Sequence, residues 1–419
     1  MKALTKIGIG FLALAAVALG FTSCSSEDVV QNGGGQGNTY LTLSINTGDV
    51  SNTRASDWTG TDPVKTDENK INNMTVGIFD KNGKVRTIVD LAEDNTGKPN
   101  SYKLTTASGS TTVTATANIV TSSLDATDVV LVAVNAPAKK FAGVTSKNGF
   151  NAVKETLADA VASTTKETNT KIPMYGYANL TGSGSSFSAS VDVYHMLAKV
   201  TLKSLTVDFK ADGPYKSAEF TPTAFFMINV PEDFQFNGTV ENKLNEAWTS
   251  TTTMYHAWNK DGDYTTTNDA ATSMGTYAQY LTTGDLGITT PLKVTAGGTT
   301  STNSCSKKAC FYVTPSSATA TGKKNMKLVI AGTFKNGETS TPVYYPVPLN
   351  ANYAPDGTVS PAGSGTTTYA VYPNVDYQCE VVIRSIGATT PNADLSPETA
   401  TIKVTVKDFV PVTQNTEFN

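Results

Sequence analysis

The chain has few of the residue types from which catalytic and metal sites are usually built. Its 419 residues include two histidines and four cysteines, and charged residues make up 16% of the sequence. Ligands this sparse, at this spacing, do not form a zinc site, and common catalytic, phosphate-binding and redox motifs are missing. A net charge of −4 offers no basic surface to nucleic acid. We therefore predict a protein that is not an enzyme, has no metal or other cofactor, and does not bind nucleic acid.

Long hydrophobic runs are also scarce, and the one that is present lies at the start. A basic beginning precedes an apolar run at residues 7–21, and two small residues then lead into Cys24. This is the pattern of a secretory signal, and the run is too short for an ordinary membrane span. The cysteine after small residues resembles a lipobox. We expect residues 1–23 to be a lipoprotein signal peptide and Cys24 to carry lipid; the alternative is an ordinary signal peptide that happens to precede a cysteine.

The composition favours short strands and tight turns over long helices. Thr, Ser, Val, Ala and Gly are abundant, and Asn-Gly and Asp-Gly steps recur. Segments of alternating apolar residues follow one another at the spacing of an all-β sandwich. We predict an all-β fold with few short helices, in two β-sandwich domains at about 55–199 and 200–419. The predicted strands are 41–45, 74–78, 113–119, 129–134, 191–198, 199–207, 224–230, 311–313, 327–334, 343–349, 378–383 and 402–406.

Two segments interrupt this strand pattern. Apolar residues fall on one helical face between Asn151 and Thr164, so we predict a helix there. A threonine-rich stretch at about 248–304 has weak periodicity and is predicted to be an insertion in the second domain. A loop of that length is usually functional or mobile.

The remaining cysteines and one histidine have predicted structural roles. Cys305 and Cys310 have four residues between them and could close a small disulfide loop in an oxidising envelope. Cys379 lies in a strand-like run and is expected to be a buried thiol. His195 lies in a predicted strand and is expected to be a structural residue at the domain junction.

Two strands near opposite ends of the chain share one design. Each places three aliphatic residues at alternate positions: Leu41, Leu43 and Ile45 in the first, and Ile402, Val404 and Val406 in the last. Such a strand fills three pockets of a core and completes a backbone ladder. Its removal would leave a groove, and burying each aliphatic side chain is worth about 1.5–3 kcal/mol. The tail of another subunit could fill that groove by β-strand addition.

Arg54 makes removal of the first strand feasible. It lies in a polar segment directly after that strand, where proteolytic cutting concentrates. Cleavage between Arg54 and Ala55 would detach the strand together with the lipid. The alternative is that Arg54 is an ordinary solvated charge.

Several stretches resemble the fimbrillin family, the type V pilins of Bacteroidia. They are the lipobox start, Thr53-Arg54-Ala55, Glu68-Asn69-Lys70-Ile71, the Val-Ala-Val-Asn-Ala-Pro run at 132–137, Met-Leu-Ala-Lys-Val at 196–200, Asn-Val-Asp-Tyr at 374–377 and the ending at 404–409. The resemblance implies two transthyretin-like (Ig-like) β-sandwich domains and export as a lipoprotein. It also implies trimming by an arginine- or lysine-specific protease, and polymerisation through the carboxyl-terminal tail. Phe409 stands where the family often has Trp.

The leading hypothesis is therefore a structural subunit of a cell-surface fimbria. Residues 24–54 would be a propeptide whose strand plugs the groove, and residues of about 396–419 would be the donor tail. The expected anchors are Ile402, Val404, Val406 and Phe409, with Val410, Val412 and Phe418 in a second short strand. The expected partners are other fimbrial subunits, an arginine-specific maturation protease and, before maturation, the outer membrane through the lipid.

The rival hypothesis is a binding protein, either a fimbrial tip adhesin or a lipid-anchored surface receptor for glycans. Exposed aromatic rings stack on sugars, and the insertion contains the aromatic residues Trp248, Tyr255, Trp258 and Tyr264. On this hypothesis the partners are ligands on host or bacterial surfaces. An envelope hydrolase with a pair of carboxylates is a third class that no spacing in the sequence favours.

Overall fold

The described part of the chain is built almost entirely from β-strands. The structure is a computed structural model, and it describes residues 38–47, 68–106, 113–160, 171–237, 254–255, 281–288, 290–294, 301–305, 310–316, 325–349, 371–393 and 400–408. These residues form 22 strands and three short helices. The predicted all-β class with few short helices is confirmed. No helix among these residues is long and apolar enough to span a membrane.

The first sheet closes on itself. Its strands are β1 (Asn38–Thr47), β2 (Met74–Phe79), β3 (Val85–Glu93), β4 (Ser101–Thr106), β5 (Val113–Ser122), β6 (Val129–Val134), β8 (Met174–Asn179), β9 (Thr181–Ser183) and β10 (Ser186–His195). The order is β1-β5-β4-β3-β2-β6-β8-β10, β10 pairs back with β1, and β9 extends from β10. Two residue pairs join β3 to β4, and two join β8 to β10. The closed sheet is thus two broad faces connected at two short corners.

Alternation along the strands gives this sheet an apolar interior. In β10 the buried residues Phe187, Ala189, Val191 and Val193 alternate with exposed serines and Asp192. Their side chains join those of β1, β2, β5 and β6 in one enclosed core. Burial on one face fixes the register, because a slip of one residue would turn every apolar side chain outwards.

Two further sheets follow in the second half of the chain. One contains β11 (Ala198–Val207), β17 (Ser301–Ser304), β18 (Cys310–Val313), β21 (Val375–Ile383) and β22 (Ala400–Asp408), in the order β17-β11-β21-β22 with β18 also on β11. The other has the order β16-β12-β19-β20 and contains β12 (Glu219–Ile228), β16 (Leu292–Lys293), β19 (Lys327–Asn336) and β20 (Thr339–Pro348). β11 and β21 are parallel. An aromatic-rich core fills this region and continues to Phe79 and Phe150 of the first half.

Short elements complete the fold and correct one prediction. They are α1 (Lys147–Asn151), β7 (Lys154–Thr156), α2 (Leu157–Ala160), β13 (Val230–Pro231), β14 (Asp233–Gln235), β15 (Met254–Tyr255) and α3 (Thr283–Leu286). The single helix predicted at 151–164 is wrong. β7 is extended because it pairs with β14, and the buried Glu155 carboxylate within it binds Lys140 at 2.9 Å. Residues 161–164 lie outside the described residues.

The strand predicted at 191–198 is also two elements rather than one. β10 ends at His195, and Met196 and Leu197 connect it to β11. Both connecting residues are buried and apolar, so the sequence has no polar break that would mark the end of β10. His195 therefore stands at the point where the chain passes from the closed sheet to the second sheet.

Candidate functional site

The first strand is held on both of its edges. β1 runs antiparallel to β5 from Asn38 to Asn46 and parallel to β10 from Tyr40 to Thr47. It therefore closes a gap between two strands that are distant from it in sequence. We call β1 the plug strand, and we call the space that it fills between β5 and β10 the groove.

The three predicted plug residues all point into the core. Leu41, Leu43 and Ile45 are at most 1% exposed. Leu43 stands opposite an alanine on each side, Ala117 of β5 and Ala189 of β10. Removing the plug strand would expose three pockets, and the three side chains together contribute roughly 5–9 kcal/mol of burial.

The outer face of the plug strand is polar and linked to both neighbours. Asn46 donates from Nδ2 to Asp192 Oδ1 at 3.2 Å and to Ser190 Oγ at 3.4 Å. Its Oδ1 accepts a hydrogen bond from Thr114 Oγ1 at 3.4 Å. Two of these bonds are exposed, and all three are longer than the usual hydrogen bond, so the inward aliphatic residues and the backbone ladders hold the strand in place.

The segment that follows the plug strand is attached to the body at Glu68. Thr47 pairs with Val193, and two residues later along β10 His195 donates from Nε2 to the Glu68 carbonyl at 3.0 Å. The chain therefore leaves the plug strand and re-enters the described fold at the same end of β10. Arg54 and Ala55 belong to the segment in between. They lie outside the described residues, as does Cys24.

A buried polar cluster surrounds Glu68. Its carboxylate accepts hydrogen bonds from Lys199 Nζ of β11 at 2.5 Å and from the Tyr312 hydroxyl of β18. His195 also lies beside Asn374, whose Oδ1 accepts from the His195 backbone amide at 3.3 Å. All of these groups except Asn374 are buried. We call this cluster the polar junction, because it joins the start of the body to β10, β11, β18 and the residue that precedes β21.

Burial and charge together determine the protonation states in the polar junction. Burial is the largest single influence on the pKa of Lys199 and acts to lower it, but Glu68, Cys310 and Asp376 together outweigh burial and the net pKa is raised. Lys199 is therefore a cation paired with an anion. Burial lowers the pKa of His195 despite its bond to the Glu68 carbonyl, so its imidazole is neutral at pH 7. The parallel strands add a hydrogen bond from Thr201 Oγ1 to Asp376 Oδ1 at 2.9 Å.

We expect Lys199→Met to lower the free energy of unfolding by about 3–5 kcal/mol, because the Glu68 carboxylate would remain buried without its cation. The double variant Glu68→Gln/Lys199→Met should lower the free energy of unfolding by less, because neither member of the charged pair remains. Urea denaturation measures both. Lys154→Met is the matched control: its pair with Asp233 is half exposed on the lysine side and should be worth less than about 1 kcal/mol. A Lys199 variant as stable as this control would contradict the expectation.

The cysteines are free thiols in the structure. Cys305, Cys310 and Cys379 are all buried and unbonded, so the disulfide predicted between Cys305 and Cys310 is not formed. The two thiols have different surroundings. Cys310 lies beside Lys199 and Tyr312, which also act on its pKa, whereas the pKa of Cys305 is shifted by burial. Burial raises the pKa of each of these two thiols to about 12. The prediction of a buried thiol at Cys379 is confirmed.

The predicted donor strand lies at the edge of the second sheet. Ile402, Val404 and Val406 belong to β22, which is antiparallel to β21 over nine residue pairs. Within the described residues β22 has no second neighbour. The other predicted anchors, Phe409, Val410, Val412 and Phe418, lie outside the described residues. So do Trp248, Trp258 and Tyr264 of the insertion, whereas the backbone of Tyr255 pairs with Val230.

Sequence reasoning missed the chemical partners in the polar junction. Glu68, Lys199 and Asn374 lie in stretches that resemble the fimbrillin family, but nothing in the sequence joins them to each other. The one local signal is Lys199 itself, a charged residue within the apolar run that begins at Met196. Tyr312 gave no signal, because a tyrosine in a short strand is ordinary core material.

The comparisons with known proteins agree with this geometry. Residues 39–195 match the family model of the major fimbrial subunit protein FimA. The match begins within the plug strand and ends at the last residue of β10. This part of the chain, a little over a third of its length, is therefore similar to the major fimbrial subunit protein.

Solved structures extend the similarity to nearly the whole length of the chain. A fimbrilin (FimA) from Porphyromonas gingivalis is 14% identical with a TM-score of 0.51, and the match covers 89% of this chain and 99% of that one. A Bacteroides eggerthii protein assigned to cell adhesion is 20% identical with a TM-score of 0.57, and the match covers 90% and 98% of the two chains. At these identities the likeness shows a shared fold. No curated protein sequence matches the chain significantly.

Proposed function

We propose that the chain is a pilin exported as a lipoprotein through Cys24, matured by cleavage between Arg54 and Ala55, and polymerised by donor-strand exchange. In this proposal the precursor is lipid-anchored in the outer membrane, and an arginine-specific protease releases it. Residues 24–54 are the propeptide that carries the plug strand. The mature subunit has two transthyretin-like sandwich domains that meet near Lys199.

The observation that carries this proposal is the seat of the plug strand. A strand with three buried aliphatic side chains and two backbone ladders is joined to the body through the segment that contains Arg54. Cleavage there would leave the strand held by non-covalent contacts alone. The groove that it vacates presents unpaired backbone groups and apolar pockets, which a new strand can satisfy.

The polar junction, which lies after the cleavage site in the sequence, also supports the proposal. Glu68 is held by Lys199, Tyr312 and His195, none of which belongs to the plug strand. Loss of the plug strand therefore leaves these attachments in place. A subunit can lose its first strand while the start of its body remains fixed.

The edge position of β22 favours the carboxyl-terminal tail as the donor. Among the residues that the structure describes, β22 has one ladder in its own sheet, with β21. In the groove of another subunit a strand gains two ladders, as the plug strand does with β5 and β10. The transfer would therefore add backbone hydrogen bonds as well as apolar burial.

The experiment that tests this proposal measures the fate of the propeptide. The purified precursor is cut after Arg54 with a fluorescent label on the 24–54 fragment, and polymer formation is followed by sedimentation. We expect one fragment to be released for each subunit that enters a polymer. Polymers that keep their fragments would overturn the strand-exchange mechanism.

A further inference from the structure

The pockets of the groove are lined by side chains of different size. At the first inward position, Leu41 stands between Ile119 and Phe187. At the middle position, Leu43 stands between two alanines, Ala117 and Ala189. All four wall residues are buried and belong to the same core as the plug strand.

The third pocket is intermediate between the other two. Ile45 has Ala115 on one side and Val191 on the other. The middle pocket therefore leaves the most room for a side chain from the inserted strand, and the third pocket leaves more than the first. The plug strand matches this gradient by placing a leucine between the two alanines.

The tail of the chain matches the gradient less well. Aligned by its three alternating aliphatic residues, the tail has Ile402 for Leu41, Val404 for Leu43 and Val406 for Ile45. The first exchange keeps the number of carbon atoms, and each of the other two removes one methylene. Protein interiors are close-packed, so an unfilled methylene loses both burial and contacts.

We propose that Ala115, Ala117 and Ala189 are specificity-determining residues, which make the groove prefer a strand with leucine and isoleucine at its middle and third positions. This rests on the proposed function, since the groove opens only when the plug strand leaves. The plug strand fits the groove better than the tail of a second copy does. Good fit, in addition to the covalent tether, then keeps the precursor from assembling before cleavage.

The preference has an expected size. Each methylene removed from a buried position weakens binding about fourfold, so two weaken it about 15-fold. If a pocket is narrowed, the strand with the smaller side chain should bind better than the strand with the larger one. Adding carbon atoms to a packed wall produces overpacking, which disfavours the larger ligand and spares the smaller one.

The test is competition for the groove of the cleaved protein. The full chain is cut after Arg54, and the labelled 24–54 fragment is displaced by synthetic peptides of residues 38–47. We expect the peptide with Leu43→Val and Ile45→Val, which has the residue types of the tail at the middle and third positions, to compete about 15-fold less well than the natural peptide. Equal competition by the two peptides would overturn the proposal.

A swap of the pocket wall gives the second arm of the test. In the Ala117→Val protein the order should reverse at the middle position, with the Leu43→Val peptide competing better than the natural one. If this protein does not fold with its own plug strand, the double variant Ala117→Val/Leu43→Val relieves part of the overpacking by removing one carbon atom at the facing position. An unchanged order in either protein would refute the assignment. Failure of every peptide to displace the fragment would instead count against the exchangeable groove itself.

Discussion

Arg54→Gln is expected to abolish polymerisation by the variant alone. Without cleavage the plug strand stays covalently attached, and a tethered strand outcompetes a free donor because its effective concentration is in the millimolar range or above. The variant should accumulate as a folded, lipid-linked monomer. Electron microscopy of surface extracts and size-exclusion chromatography of the purified protein measure this.

Lys81→Gln is the matched control for this variant. Lys81 is an exposed cation in the turn between β2 and β3, so its replacement removes one surface charge without touching the groove. It should polymerise normally. Fibres of normal length from the Arg54 variant would show that cleavage at this residue is not required for assembly.

Val404→Asp is expected to abolish donation while leaving the groove intact. At the middle pocket it would bury a carboxylate among apolar groups, and an unpaired buried charge costs several kcal/mol. Thr405→Asp is the control, because neighbouring residues of a strand point to opposite faces and the charge would remain in solvent. We expect fibres from the control and none from Val404→Asp. Fibres from both would refute the donor role of this strand.

A mixture of the two non-polymerising variants should form a single donor–groove contact for each pair of molecules. The Arg54 variant has a donor tail but an occupied groove, and the Val404 variant, after cleavage, has an open groove but no donor. A mixture should therefore give one-to-one dimers and stop there, because a head-to-tail interface needs both parts to continue. Light scattering coupled to chromatography distinguishes dimers from monomers and from longer chains.

Much of the strand content could be predicted from the sequence because neighbouring residues determine it. Leu41, Leu43 and Ile45 alternate with polar residues, and alternation is the signature of a half-buried strand. The turn after β2 is also stabilised locally: Asp80 Oδ1 accepts hydrogen bonds from the amides of Asn82 and Lys84. Strand partners were not predictable in this way. The pairing of β1 with β10 joins segments far apart in sequence, and alternation does not specify a neighbour.

Local pattern failed where tertiary contacts decided the conformation. Val153 and Leu157 have helical spacing, but the residues between them pair with β14 instead. The polar junction was invisible for a related reason: a buried ion pair is defined by two residues from distant segments. A charged residue such as Lys199 needs a partner when it is buried, and the fold was needed to identify Glu68 and Tyr312 as its neighbours.

The measurement that tests the removable plug strand most directly is amino-terminal sequencing of subunits taken from polymers on the cell surface, with intact mass on the same material. We predict a mature chain that begins at Ala55 and contains no residue of the 24–54 segment. Polymers built from chains that begin at a lipidated Cys24, with the plug strand still present, would contradict donor-strand exchange through this groove.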